Sequence, residues 1–227
     1  MKLWTVLDIA QIPNDGRDLR LLQRGAEFSI KLDNGELMSS RVRGSEEALA
    51  RLGCAKIEAR ERPRVLIGGL GMGFTLRAAL GLLGAKAEVV VAELVPAVVS
   101  WGRGPLAELF GNSLTDARVT IHEGDVGRLI RSASSAYDAI LLDVDNGPEG
   151  LTLNANDELY DLDGLRAAWT ALRPGGVLAV WSAASDAAFV RRLRKIGYCV
   201  DEFAVRANGK RGARHVIWVA ARPDRAA

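Results

Sequence analysis

Histidine and cysteine are nearly missing from this chain. Two of each occur in 227 residues, His122, His215, Cys54 and Cys199, and no two of them stand at metal-ligand spacing. That scarcity argues against a clustered zinc or haem centre, and no metal is expected. It also leaves no disulfide framework, so a reducing compartment, the cytoplasm, is the expected location. No apolar run is long enough to cross a bilayer, and the opening MKLWTVLDIAQIPNDGRD has no apolar stretch of signal-peptide length. Charge of one sign is scarce too. The net charge of +2 gives no reason to expect a nucleic-acid partner. Repeats and low-complexity tracts are lacking, and the length suits one main domain with a small addition.

What is present divides near residue 60. Residues 1–60 read as an extension made of a β-hairpin and a short helix. The stretch EFSIKLDNGELMSSR alternates around Asp33-Asn34-Gly35, a turn sequence that tolerates positive φ. GSEEALARLGC follows as a short helix with Ser45 as its N-cap. Residues 61–227 read as a second, larger domain in which strand and helix alternate: RVLIGG, GFTLRAALGLLG, AEVVVAE, a helix PAVVSWGRGPLAELF opened by Pro96, RVTIHEGD, a helix from Val126, and YDAILLD. Then come the helix DELYDLDGLRAAWTAL, the strand in RPGGVLAVWS and the helix DAAFVRRLRKIG. Such alternation builds a parallel sheet covered on both faces. The last two strands, CVDEFAVRA and RHVIWVAA, are joined by a loop too short for a parallel crossover. The final strand is therefore expected to run antiparallel.

Glycine is concentrated where the first of these strands meets its helix. Gly69, Gly71 and Gly73 form G-x-G-x-G, with Phe74 where a dinucleotide fold would have its third glycine. A glycine turn of this kind lets backbone approach a ligand and aims the helix N-terminus at it. Glu93 ends the second strand, where a carboxylate can accept from both hydroxyls of a ribose. Gly124 and Asp125 follow the third strand, and Asp125 is placed to accept from an adenine amino group; capping the helix from Val126 is its competing role. Asp143 closes the strand AILLD and Asp145 follows on the same side. Carboxylates at the carboxyl ends of parallel strands, beside a glycine turn, point to a nucleoside ligand.

From Arg62 to Ala221 the order of these motifs resembles the class I S-adenosylmethionine-dependent transferases, and within them the spermidine synthase group. RVLIGGLGMG is similar to that group's G-G-G-D-G-G segment, VVVAELVPAVV to its ribose-binding strand, and EGD to its adenine-side Gly-Asp. YDAILLDVDNGPEG resembles its YD-apolar-D-S-S-D-P segment, and Leu159-Tyr160 the residues that follow. LRPGGVLAV is shared by the whole fold. The resemblance implies a Rossmann-like methyltransferase fold: a mostly parallel seven-stranded sheet with an antiparallel last strand, plus the small N-terminal hairpin. It implies an S-adenosylmethionine co-substrate, or its decarboxylated form, and no metal. Asp143 matches the catalytic aspartate, and Asp145 and Asn146 would orient the acceptor. Tyr160 is a candidate acceptor contact with core packing as its competing role. Trp181 is a candidate pocket wall, again against a role in the core.

The departures bear on the transferred group. Gly71 stands where the synthases carry the aspartate that holds the aminopropyl amine, a charge-assisted bond worth about 1.5–3 kcal/mol. Ile67 stands where many methyltransferases carry an acid, Met38 is nearest to the hairpin glutamine, and the helix keeps Glu46 and Glu47 without a histidine. These changes favour methyl transfer to a small acceptor, an amine being one class, over aminopropyl transfer in polyamine biosynthesis; a non-catalytic nucleoside-binding module is the third reading. The expected partner is a small molecule, with neither nucleic acid nor membrane, and the hairpin edge is where a homodimer would pair. The basic residues of VRRLRKIG and NGKRGARH read as solvated faces.

Overall fold

Strands rich in Val, Ile and Leu from Arg64 onward assemble a seven-stranded sheet, here seen in a computed structural model. It describes residues 3–13, 15–33, 35–144, 158–208 and 211–224. The sheet contains β5 (Arg64–Gly68), β6 (Glu88–Glu93), β7 (Val119–Glu123), β8 (Tyr137–Leu142), β9 (Leu172–Ser182), β10 (Cys199–Asn208) and β11 (Arg211–Ala221). Its order is β10-β11-β9-β8-β5-β6-β7. Strands β7, β6, β5, β8 and β9 run parallel, while β11 lies antiparallel between β9 and β10. The expected antiparallel ending is therefore present. The order reverses at β5, which sends the chain to β6 on one side and has β8 on the other. Open α/β sheets bind ligands at such a point.

Helices cover both faces. The helices α1 (Gly44–Ala55), α2 (Phe74–Leu82) and α3 (Pro96–Arg103) contribute to one apolar cluster; α5 (Val126–Ser132), α6 (Leu162–Ala171) and α7 (Ala187–Ile196) contribute to the other. Three local readings need correction. The helix opened by Pro96 stops at Arg103, because Gly104 leaves the helical region; α4 (Ala107–Phe110) is separate. The helix α1 begins at Gly44 with Arg43 as its N-cap residue, and no side chain caps it; the Ser45 hydroxyl donates instead to Glu46 Oε2 at 2.7 Å. Asp161 accepts from the N–H groups of Asp163 and Gly164 and starts α6 there, so the single helix read from DELYDLDGLRAAWTAL is broken at Asp161, with Tyr160 closing a separate short helical stretch before it.

The N-terminal part is larger than one hairpin. It is a four-stranded antiparallel sheet of β1 (Thr5–Gln11), β2 (Asp18–Arg24), β3 (Glu27–Leu32) and β4 (Gly35–Ser39). The hairpin read from Asp33-Asn34-Gly35 is β3–β4, with Leu32 opposite Gly35; Asn34 itself lies outside the described residues. The strand β1 escapes a period-two reading because it is exposed on both sides and offers no alternation. Leu19, Leu21, Ile30 and Leu32 of this sheet join the same apolar cluster as Val65 and Ile67 of the large sheet. That continuity fixes the small sheet over the carboxyl ends of the large one.

The opposite, amino-terminal ends are pinned by a buried carboxylate. Asp138 Oδ2 accepts from Arg64 N–H and from Arg173 Nη1, both at 2.7 Å, and Arg60 Nη1 lies 3.4 Å from Oδ1. One side chain thereby ties β5, β8 and β9 together. Replacing Asp138 by alanine removes the acceptor of Arg173 Nη1 and of a backbone donor, so Asp138→Ala is expected to lower unfolding stability by about 1–3 kcal/mol in urea denaturation. A loss within about 0.5 kcal/mol would contradict this role.

Candidate active site

The strand β5 ends in a turn that only glycine can make. Gly69 has φ +88°, and a Cβ there would stand 2.3 Å from the carbonyl oxygen of Asp143. The turn therefore passes hard against the tip of β8. Gly73, at φ +78°, is the N-cap residue of α2. Gly71 lies between them with its open side toward Met38, whose Sδ would be 3.1 Å from an added Cβ. The bare backbone of Gly69 and Gly71 faces a cavity of about 810 Å³, counting the open space at its mouth.

Glu93 holds this turn in place. Its Oε2 accepts from Leu70 N–H and its Oε1 from Val95 N–H, each at 2.9 Å. The side chain is buried, and burial pushes its carboxyl above the usual carboxylate range against the pull of the Val95, Leu70, Gly71 and Leu94 N–H groups. Asp125 caps α5 by accepting from Gly127 N–H at 2.8 Å, and Arg131 Nη2 stands 3.3 Å from its other oxygen. The capping role is therefore real, and it leaves Asp125 on the cavity wall beside Gly124.

Asp143 follows β8 and reaches the same cavity. Its Oδ2 accepts the Thr75 hydroxyl at 2.9 Å. Burial, with a smaller push from the Glu46 carboxylate, raises its pKa to about 7; the Thr75 hydroxyl opposes this. An acid that is half loaded near neutral pH suits proton exchange. Glu46 is raised as well, chiefly by burial. Sequence reasoning placed Glu46 on a helix without linking it to Asp143, and it passed over Thr75. No local signal joins them; the packing of α1 and α2 does, with Thr75 Oγ1 only 3.5 Å from the Glu46 carbonyl oxygen.

The structure thus brings Gly69, Gly71, Glu93, Gly124, Asp125 and Asp143 to one cavity. Gly73 shapes the turn without lining the cavity. Tyr160 does not line it either. Its side chain is 3% exposed and packs edge-on against Phe189 in the cluster on the other sheet face, a core role. Trp181 lies one rung past the last paired residues of β8 and β9, half-buried and edge-on to His215 at 4.7 Å, and is likewise not on the cavity wall. Asp145 and Asn146 lie outside the described residues. The roof is apolar, formed by Ile12, Leu19, Ile30, Leu32, Leu37 and Met38 of the N-terminal part. Among the described residues no three His, Cys, Asp or Glu side chains cluster as a metal site, and no helix is long and apolar enough to cross a membrane.

No protein-family model matches the sequence, and no curated protein matches it either. Proteins of solved structure do match in three dimensions. A spermidine synthase crystallised with the transition-state analogue AdoDATO aligns at TM-score 0.74 and 17% identity, over 97% of this chain and 73% of its own. The spermidine synthase of Thermotoga maritima aligns at TM-score 0.76 and 17% identity, over 97% and 74%. The chain has the spermidine synthase fold. In that fold, a Rossmann-like class I architecture, the small antiparallel sheet precedes the seven-stranded one, as here.

A carboxyl that keeps its proton up to about pH 7 when folded, but only to about pH 4 when unfolded, makes stability fall as pH rises between those values. Asp143→Asn removes that dependence. The variant is expected to be more stable than the parent at pH about 8, by up to about 4 kcal/mol at about 1.4 kcal/mol per unit, and similar to it below pH about 4. Urea denaturation at both pH values checks this; a variant less stable than the parent at the higher pH would contradict the assignment.

Proposed function

We propose that this chain is a transferase that uses an S-adenosyl sulfonium donor and passes its methyl group to a small amine acceptor. The reading is carried by the convergence of a glycine turn and three strand-end carboxyl groups, Glu93, Asp125 and Asp143, on one cavity at the switch point of the sheet. In this reading Glu93 accepts from the ribose hydroxyls, its carboxyl lining the cavity between the glycine turn and Val95. Asp125 accepts from the adenine amino group, and Gly69 and Gly71 leave room for the sugar and its sulfur substituent. The bound sulfonium supplies an electrophilic carbon. The protein's part is to align the acceptor and keep water out, which the apolar roof over the cavity serves. Asp143 receives the acceptor's ammonium group and its proton. Asp145 and Asn146 remain in the proposal as acceptor contacts.

Methyl transfer is preferred because Met38 lies over Gly71. A thioether there offers nothing to the free amine of a decarboxylated donor. Aminopropyl transfer is the second reading, favoured by the naming of the matched structures as spermidine synthases and by the AdoDATO bound to one of them. Calorimetric titration separates the two. S-adenosylmethionine is expected to bind more tightly than its decarboxylated analogue; the reverse order would replace methyl by aminopropyl transfer.

Asp143→Asn is expected to cut turnover by about 10²-fold or more while donor affinity stays within a few fold. Glu93→Ala is expected to abolish donor binding. If Asp143→Asn turned over at the parental rate, Asp143 would not be the base.

A further inference from the structure

The small N-terminal sheet alternates between apolar and polar residues, and that alternation decides what it shows to the cavity. Leu19 pairs with Leu32 and Leu21 with Ile30, and all four belong to the apolar cluster. Arg20 pairs with Lys31 on the other face. Glu36, the acid of β4, is drawn to that other face as well, where its Oε2 accepts the Ser29 hydroxyl at 2.7 Å. Among the described residues, the N-terminal part therefore gives the cavity only hydrocarbon and one thioether, that of Met38.

The sheet spans the cavity from one side to the other. At one edge β1 is tied to α3, since Asp8 Oδ2 accepts from Trp101 Nε1 at 2.7 Å. At the opposite edge β4 sets Met38 over Gly71, in the turn that runs against the tip of β8 and Asp143. The strand β4 thus covers the end of the cavity where Asp143 stands. Its two lining residues are not core: Met38 is only half-buried and Leu37 is 41% exposed. Of the exposed large apolar side chains among the described residues, Leu37 alone lines this cavity. An apolar side chain left open at a cavity mouth gains from an apolar ligand. Below the roof, Glu93 and Asp125 are assigned to the adenosine, which leaves Asp143 as the described carboxyl group for the acceptor.

We propose that the acceptor is a primary monoamine with an apolar body, its ammonium at Asp143 and its hydrocarbon under Leu37 and Met38, which select it over a diamine. The proposal rests on the transferase reading above. One charge is matched by one carboxyl group, and each methylene placed under the roof leaves water for aliphatic contact. A second ammonium at the far end of the chain would lose its water against Leu37 and Met38, which offer it no strong acceptor, and burying an unpaired charge is costly. A carboxylate at that end meets the same penalty. Leu37 and Met38 touch the body of the acceptor and no reacting atom.

The test is calorimetric titration of amines into the full chain, with and without saturating adenosylhomocysteine. Affinity is expected to rise from propylamine to hexylamine by up to about fourfold per methylene. Hexylamine should bind about tenfold or more tightly than the diamine and the amino acid of the same chain length. In Leu37→Glu, an exposed position that tolerates the change, a carboxylate at the mouth should shift the ratio of the two affinities about tenfold toward the diamine. A diamine bound as tightly as hexylamine by the parent, a series flat in chain length, or a ratio unmoved by Leu37→Glu would each overturn the proposal. Adenosylhomocysteine binding without the amine preference overturns the proposal and leaves the transferase reading standing. Absence of adenosylhomocysteine binding overturns the transferase reading, and the amine series on the free chain still decides what the roof selects.

Discussion

The site depends on the bond between Glu93 and the backbone of the glycine turn. The sheet alone would bring the tips of β5, β6 and β8 together, but a turn as bare as Gly69-Leu70-Gly71 has little of its own to define its path. Glu93 supplies the definition by accepting Leu70 N–H from the tip of the neighbouring strand. The main chain reinforces it: Gly69 N–H donates to Ala92 O, and Asp143 N–H donates to Gly68 O. The residue proposed to hold the ribose is therefore also the one that shapes the turn around it. Backbone donors replace part of the water this buried carboxyl loses, and burial still leaves its pKa raised.

The cavity sets carboxyl groups beneath an apolar roof, and each half conditions the other. Isoleucine and leucine side chains from the small sheet reduce the water available to Asp143, which is why burial dominates its raised pKa. The cost falls on folding stability at neutral pH, and the large apolar clusters on the two sheet faces offset it. Sites of this kind exchange stability for proton affinity. The buried Asp138 at the opposite end of the strands has the reverse arrangement. It lies between Arg60 and Arg173, with Oδ2 hydrogen-bonded to Arg173 and to the backbone of Arg64, and serves to hold the sheet.

How far the molecule was legible from its sequence follows the range of the interactions. The strand-turn-helix around Gly69, Gly71 and Gly73, the strand ending at Glu93 and the helix capped by Asp125 are local, and local chemistry sufficed for each. The antiparallel ending followed from a loop too short to cross over. Tyr160 and Trp181 stay open between site and core in the sequence because an aromatic beside a site and an aromatic in a core have the same signature; only packing separates them. The helix after Pro96 was overextended because Gly104 reads as a tolerated break until tertiary contacts decide. Glu46 was the largest omission. Its relation to Asp143 spans nearly a hundred residues and arises from how α1 and α2 lie on the sheet.

The most direct test of the account is a crystal structure of the chain grown with adenosylhomocysteine. The account predicts the adenosine in the cavity beneath the small sheet, with both ribose hydroxyls hydrogen-bonded to Glu93, the adenine amino group at Asp125, and the sulfur beside Gly71 within reach of Asp143. Density for the ligand elsewhere, or a cavity filled by the protein's own side chains with Glu93 turned away, would contradict it.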